Sequence, residues 1–268
     1  MHDTHERALS IIVRRMFNVS VLHLDLSSSD PTSVPKSTSI LPAIAACLDN
    51  GNPCRSPVTV ASPNILELAE MYNAARGGSL DLITHPSWWT VLDAFALGPQ
   101  FQTDLQQLAK VNASENDPNA GTLAFLVDKG IAQMSVSLLP VFRNIVVKCA
   151  ELGVIAVMRI SGSNSGWAQQ RSNIYGRYVI GRGTSQQETI VVQHFPALTL
   201  RQTEIVNVTG AGDSFVGSLL ASILQNPLIF QAPQTLREAI TSAQRAAVFS
   251  LQSLHAISPK LSGGERLS

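Results

Sequence analysis

The chain has 268 residues, of which 45% are hydrophobic and only 14% charged. That is long enough to bury a large core and too apolar for a disordered tail. Lys plus Arg number 19 and Asp plus Glu number 19, so the formal net charge is zero. This argues against a nucleic-acid backbone as main partner. The longest apolar runs, such as Asn144–Cys149 and Val154–Met158, fall far short of the ~20 residues of a membrane helix. Neither a nucleic-acid nor a membrane partner is expected.

Three cysteines, Cys47, Cys54 and Cys149, make neither a metal spacing nor a disulfide framework. Cys47 and Cys54 stand near enough in sequence to pair, against the plainer reading of buried free thiols. An odd count in a long chain points to a reducing compartment, the cytoplasm. Met1–Phe17 does not read as a secretory signal: it mixes Asp3 and Glu6 with three Arg around a short apolar stretch, Ala8–Val13.

In chain order, Met1–Ser20 has no assignment. Val21–Leu26 reads as a strand entering a Ser-rich turn, and Ser39–Leu48 as a helix. Val58–Ala61 is a short buried strand. Ser62-Pro63-Asn64 then starts a helix whose apolar face holds Ile65, Leu66, Leu68, Ala69, Met71 and Tyr72. Asn144–Ala150 and Val154–Ile160 are strands joined by a turn at Glu151–Gly153, and Thr189–Phe195 is a further strand. Asp213–Leu224 is a helix with Phe215, Val216, Leu219, Leu220, Ile223 and Leu224 at helical spacing, stopped by Asn226-Pro227. Leu236–Leu254 is a last long helix. Strands alternating with helices give an α/β layer architecture. Two stretches break the rhythm and read as insertions: 77–133, partly helical, and 161–187, a loop rich in Ser, Gly, Gln and Arg.

The chemistry concentrates in Val206-Asn207-Val208-Thr209-Gly210-Ala211-Gly212-Asp213-Ser214-Phe215. A turn of small residues opens directly into an amphipathic helix. Backbone N–H groups converge there, and the helix N-terminus adds positive potential, which makes an anion site. Asp213 stands at its mouth, where a carboxylate repels phosphate unless it has work such as taking a proton from an attacking hydroxyl. The bland alternative is a Gly-rich turn with Asp213 capping the helix. The dinucleotide fingerprint would need Gly where Phe215 stands, and the P-loop would need Lys after its last Gly, so both are rejected.

Thr209–Phe215 resembles the C-terminal signature of the PfkB, or ribokinase-like, carbohydrate kinases. Asp30–Lys36, Ser62–Glu67, Val146–Val154, Val191–Ala197 and Ala243–Pro259 are similar to further segments of that family, so the resemblance runs from about Val21 onward outside the two insertions. The wording of Asp30–Lys36 and of Val206–Gly217 is closest to the pseudouridine kinase-like branch, whose kinase module is in some eukaryotes fused behind a pseudouridine-5′-phosphate glycosidase.

The resemblance implies a ribokinase-like three-layer α/β/α sandwich. It implies ATP with Mg²⁺, admits a monovalent cation, and gives a nucleoside or sugar, pseudouridine among them, as phosphoryl acceptor. Asp213 would be the general base, and the backbone of Gly210, Ala211 and Gly212 the anion hole. Asn64 and Glu67 would place the metal through water. Lys148, Ala150, Gly153, Asn207, Thr209, Gln244 and Val248 would lie along the nucleotide. Asn64-x-x-Glu67 also reads as a capping box, and Lys148 as a strand-end lysine facing solvent. Trp88-Trp89 reads as a base-stacking surface or as ordinary packing, and His23, His85, His194 and His255 carry no assigned role.

The sequence departs from the family at several points. Asn207 and Val208 stand where Asp and Thr are usual, Ala150 where Gly is, and Gln244 where Asn is. Residues 21–268 are expected to form a partial kinase domain with the N-terminal part and the β lid missing. The exposed sheet edge would then invite a partner chain or an upstream domain. A non-catalytic nucleotide-binding remnant, or a fragment of a bifunctional pseudouridine-metabolising enzyme, is the competing expectation.

Overall fold

The computed structural model describes residues 56, 58–77, 86–114, 116–117, 120–183 and 188–261. The expected strand at Val21–Leu26, the helix at Ser39–Leu48, the segment Asp30–Lys36, Cys47, Cys54, His23 and His85 lie outside the described residues.

Val58–Ala61 forms β1 and turns at once into helix α1, Ile65–Gly77. Then come α2 (Pro86–Ala94), α3 (Pro99–Leu108), the single turn α4 (Phe125–Asp128) and α5 (Ile131–Leu138). The sheet continues with β2 (Phe142–Lys148), β3 (Val154–Ser161), β4 (Tyr178–Arg182) and β5 (Glu188–Phe195). Two long helices follow, α6 (Ala211–Gln225) and α7 (Pro233–Leu251).

The strand order is β1-β2-β3-β5-β4. β1 pairs parallel to β2, with Val60 opposite Asn144, and every other pairing is antiparallel. So β1, β2 and β5 run one way, and β3 and β4 the other. The carboxyl ends of β1, β2 and β5 therefore share one end of the sheet with the amino ends of β3 and β4.

Successive side chains of a strand point to opposite faces, and both faces here are covered. On one face Ile145, Val147, Ile155, Val157, Ile190 and Val192 pack against Leu68, Met71, Phe101, Leu105, Leu126, Ile131 and Leu138, from α1 and α3–α5, with Trp88 of α2 and Phe95 just beyond it. On the other, Val146, Ala156, Met158 and Val191 pack against Phe215, Val216 and Leu219 of α6 and Leu236 and Ile240 of α7. The protein is thus an α/β/α three-layer structure around a mixed sheet. The double burial explains why the central strands read as apolar runs rather than alternating patterns.

Several expectations need correction. Leu66 is 78% exposed: it lies about 200° round α1 from Leu68, off the buried stripe of Leu68, Met71 and Ala75. Leu224 is likewise exposed on α6, and α7 ends at Leu251, leaving Leu254 exposed beyond it. The stretch 161–187 is not all loop, since it contains β4. That strand is short and interrupted by Gly181, where a Cβ would run into Leu97 and Phe101. Trp88 is fully buried in the core, as packing requires, whereas Trp89 is half exposed. Cys149 is a buried free thiol whose pKa burial pushes up to about 12, so it stays unreactive.

Candidate functional site

Four segments meet at the end of the sheet where β1, β2 and β5 finish. The first is the start of α1. The Asn64 carboxamide oxygen accepts from the Glu67 N–H at 2.9 Å, and the Glu67 carboxylate accepts from the Asn64 N–H at 2.7 Å. The capping box is therefore formed, and it holds the box against β2: the Lys148 N–H donates to Pro63 O at 2.8 Å, and Asn64 bridges Lys148. The Lys148 Nζ does not face solvent as a strand-end lysine would. It is buried and makes no hydrogen bond among the described residues. A buried cation at a sheet end is costly unless something anionic approaches it.

The second segment is the β2–β3 turn. Cys149 N–H donates to Gly153 O, and Gly153 N–H back to Ala150 O. Ala150 has φ +51°, a left-handed conformation that L-residues other than Gly adopt at a cost. Gly153 has φ +89°, and a Cβ there would strike the Phe195 carbonyl.

The third is the turn into α6. Gly210 is its N-cap at φ +79°, packed so closely that a Cβ would run into the Ala256 carbonyl. Ala211 and Gly212 open the helix, and Asp213 sits in its first turn, half-buried. Asn207 accepts from the Thr209 N–H through its side-chain oxygen at 2.9 Å, and its own N–H donates to Leu251 O. Behind Asp213, Ser214 Oγ lies 2.6 Å from Ser250 Oγ, which fastens the start of α6 to the end of α7.

The fourth is α7. Gln244 is buried, and its amide donates to Pro196 O at 2.9 Å, just past β5. From Gln244 the helix rises about 9 Å to Ser250, and Val248 lies half-buried on the way. The earlier turns of α7 pack on the sheet, so its last turns, and the start of α6 beside them, stand beyond the strand ends. A cleft of about 210 Å³ opens next to Gln244. Its walls are Pro196–Thr199, Arg237 and Thr241 of α7, and Ser114 and Asn116 from the chain before α4. The sheet end thus carries a cleft at one side, a buried ammonium and tight glycine turns between, and the Asp213 helix start about two helical turns away. Ligands of α/β sheets sit in such crevices outside the carboxyl ends of strands.

Sequence spacing assigns no role to His194 or to Arg177, yet both belong to this end. His194 is 2% exposed; its Nε2 is 2.7 Å from Leu152 O, and its Nδ1 is 3.1 Å from the Arg177 guanidinium. A guanidinium only donates and a carbonyl only accepts, so the imidazole is neutral with its proton on Nε2. Burial, with Arg177 adding to it against the Leu152 contact, lowers its pKa to about 4. A histidine inside the apolar run Thr189–Phe195 was the signal available in the sequence.

Comparison with known proteins finds likeness over part of the chain. Residues 183–262, which span β5, α6 and α7, match the model of the pfkB family carbohydrate kinases. Across 234 residues the chain is 24% identical to the pseudouridine-metabolizing bifunctional protein of Schizosaccharomyces pombe, covering 87% of this chain and 26% of that protein. Among solved structures it is similar to ribokinase from Thermotoga maritima (15% identity, TM-score 0.33, 74% of this chain and 37% of that one). It is also similar to ribokinase from Cryptococcus neoformans var. grubii serotype A in complex with ADP (14% identity, TM-score 0.35, 81% and 55%). The chain spans about a quarter of the curated relative and 37% and 55% of these two ribokinases. Every sequence-predicted site residue lies on the four segments described above. Among the described residues no group of three or more His, Cys, Asp or Glu side chains could hold a metal, and no helix is long and apolar enough to cross a membrane.

Proposed function

We propose that this chain supplies the nucleotide and catalytic-base side of an ATP-dependent kinase that phosphorylates an alcohol of a nucleoside or sugar. The observation that carries the reading is the Gly210–Asp213 turn, which lies inside the PfkB segment and places a carboxylate in the first turn of a 15-residue helix. The kinship with a pseudouridine-metabolizing protein makes pseudouridine the first acceptor to try.

In this reading the nucleotide base lies in the cleft beside Gln244, and its phosphates extend towards α6. The 9 Å of α7 between Gln244 and Ser250 is a span of the right order for such a molecule. The Lys148 ammonium and the peptide N–H groups of Gly210–Gly212 face the phosphates, and the turn at Ala150–Gly153 and the residues Asn207, Thr209 and Val248 border them. Asp213 takes the proton from the acceptor hydroxyl as its oxygen attacks the γ-phosphorus. The bond to the ADP oxygen breaks, and ADP leaves with that electron pair. Most of the acceleration comes from placement and from fixed dipoles at the developing charge.

Mg²⁺ would be carried here by phosphate and water, beside Asn64 and Glu67, which their capping box holds in place. Those two residues would steady its waters, and the ion would supply neutralising charge to the β- and γ-phosphates.

The test is ADP release by the purified chain with Mg²⁺-ATP and pseudouridine, other nucleosides or simple sugars, with Asp213→Asn as control. Acceptor-dependent turnover that the substitution abolishes is expected. Equal turnover in both would remove Asp213 from its role, and nucleotide binding without turnover on any acceptor would favour a non-catalytic nucleotide-binding module.

A further inference from the structure

Three pieces of chain far apart in sequence are joined at one buried point behind the nucleotide groove. The His194 imidazole, from the last full turn of the β5 pleat, donates to Leu152 O at 2.7 Å and accepts from Arg177 at 3.1 Å. Arg177 is itself buried, donates a second time to Asn112 O at 2.7 Å, and receives the His194 N–H on its own carbonyl at 2.9 Å. Leu152 closes the turn that holds Ala150 and Gly153. Asn112 leads into Ser114 and Asn116, one wall of the cleft, and β5 runs straight into Phe195–Thr199, which line it too.

The backbone tells the same story. Arg177 stands at φ +59°, where a residue with a Cβ is strained. Glycine would be easier there, and the guanidinium's hydrogen bonds to His194 and Asn112 O offset that strain. A burial-only role does not call for an arginine, since an apolar side chain fills space without bringing a charge inside.

We propose that His194 and Arg177 are positioning residues for the phosphoryl-transfer site: a strut that sets the distance between the Ala150–Gly153 turn and the wall at Asn112, Ser114 and Asn116. The inference rests on the kinase reading above and extends it to groups that touch no substrate. A wall displaced by about an ångström is enough to cost much of the productive geometry.

The experiment is calorimetric titration of the full chain with Mg²⁺-ADP at a temperature where each variant is folded, with thermal unfolding measured alongside. His194→Leu and Arg177→Gly are expected to weaken ADP about tenfold, and His194→Gln, whose amide N–H reaches towards Leu152 O, to stay within about threefold of wild type. Arg177→Gly relaxes the left-handed backbone, so it decides the matter if His194→Leu does not fold. Folded variants that melt lower but bind ADP as wild type does would reduce the strut to a structural contact and overturn the inference. A wild-type chain that binds no ADP would overturn the kinase reading, and the strut's role with it. The wild-type titration alone separates that case from the first.

Discussion

The two ends of the sheet are built on different principles. At the end where β3 finishes and β5 begins, Arg159 closes on Glu188 through Nε at 3.0 Å and a terminal nitrogen at 2.5 Å. The same guanidinium lies 5.4 Å over the Phe95 ring and reaches Ser56, whose hydroxyl is bonded to Leu139 O. The charges there are spent on each other. At the opposite end Lys148 is buried without a hydrogen bond among the described residues, and Ala150, Gly153, Arg177 and Gly210 all hold left-handed backbone. Left-handed backbone occurs at the first end too, at Ala96 and Gly162, so what sets the second end apart is the Lys148 ammonium, a buried group that costs free energy unless an anion approaches it. One end holds the sheet together, and the other is the end at which we propose that an anion binds.

Substitutions at the two ends should therefore separate stability from activity. Asp213→Ala should lower acceptor-dependent ATP turnover by about 10³-fold or more while ADP affinity, measured by titration, changes little. A fall in both together would make Asp213 a binding rather than a proton-accepting group. Gly210→Ala forces a side chain into the Ala256 carbonyl at φ +79°; it should destabilise by about 4 kcal/mol in urea unfolding.

At the far end, Arg159→Met leaves the Glu188 carboxylate without its main partner. About 3 kcal/mol of stability should go, with ADP affinity in the remaining folded protein unchanged. Lost ADP affinity there would blur the contrast between the ends.

pH offers a subtler probe. His194 has its pKa lowered from 6.5 to about 4 in the folded state, so above pH 6.5 the imidazole is neutral folded or unfolded and its contribution is complete. As pH falls from 6.5 towards 4 the unfolded chain binds a proton that the folded chain refuses. Roughly 3 kcal/mol should be lost over that window, visible in unfolding midpoints and missing from His194→Gln. The smallest effect is a gain: Ala150→Gly, at φ +51°, should stabilise the chain by about 1 kcal/mol.

What the sequence could show follows the range of the interactions. β1, β2, β3 and β5 were legible because strands buried on both faces write continuous apolar runs, and α1 and α6 because each carries a proline, a cap or a small-residue turn at its start; α7 was legible only as a long Ala-rich stretch from Leu236, three residues past its start at Pro233. β4 was hidden by Gly181, whose reason is a neighbour, Leu97, over 80 residues earlier. The Gly210–Asp213 turn is a local device and could be read as one. The His194 strut could not: its partners lie 17 and 42 residues away, and Arg177 reaches 65 residues back to Asn112. Ala150 shows the middle case, where resemblance names the odd residue and only the backbone angle says why it is odd.

The most direct test of the anion-receiving end is amide hydrogen exchange of the whole chain with and without Mg²⁺-ADP. Slowed exchange is expected at Lys148–Gly153, Asn207–Asp213 and Thr241–Val248, with no change at Met158–Ser161 or Glu188–Ile190. Protection confined to the Arg159–Glu188 end, or no ligand-dependent change anywhere, would contradict this expectation.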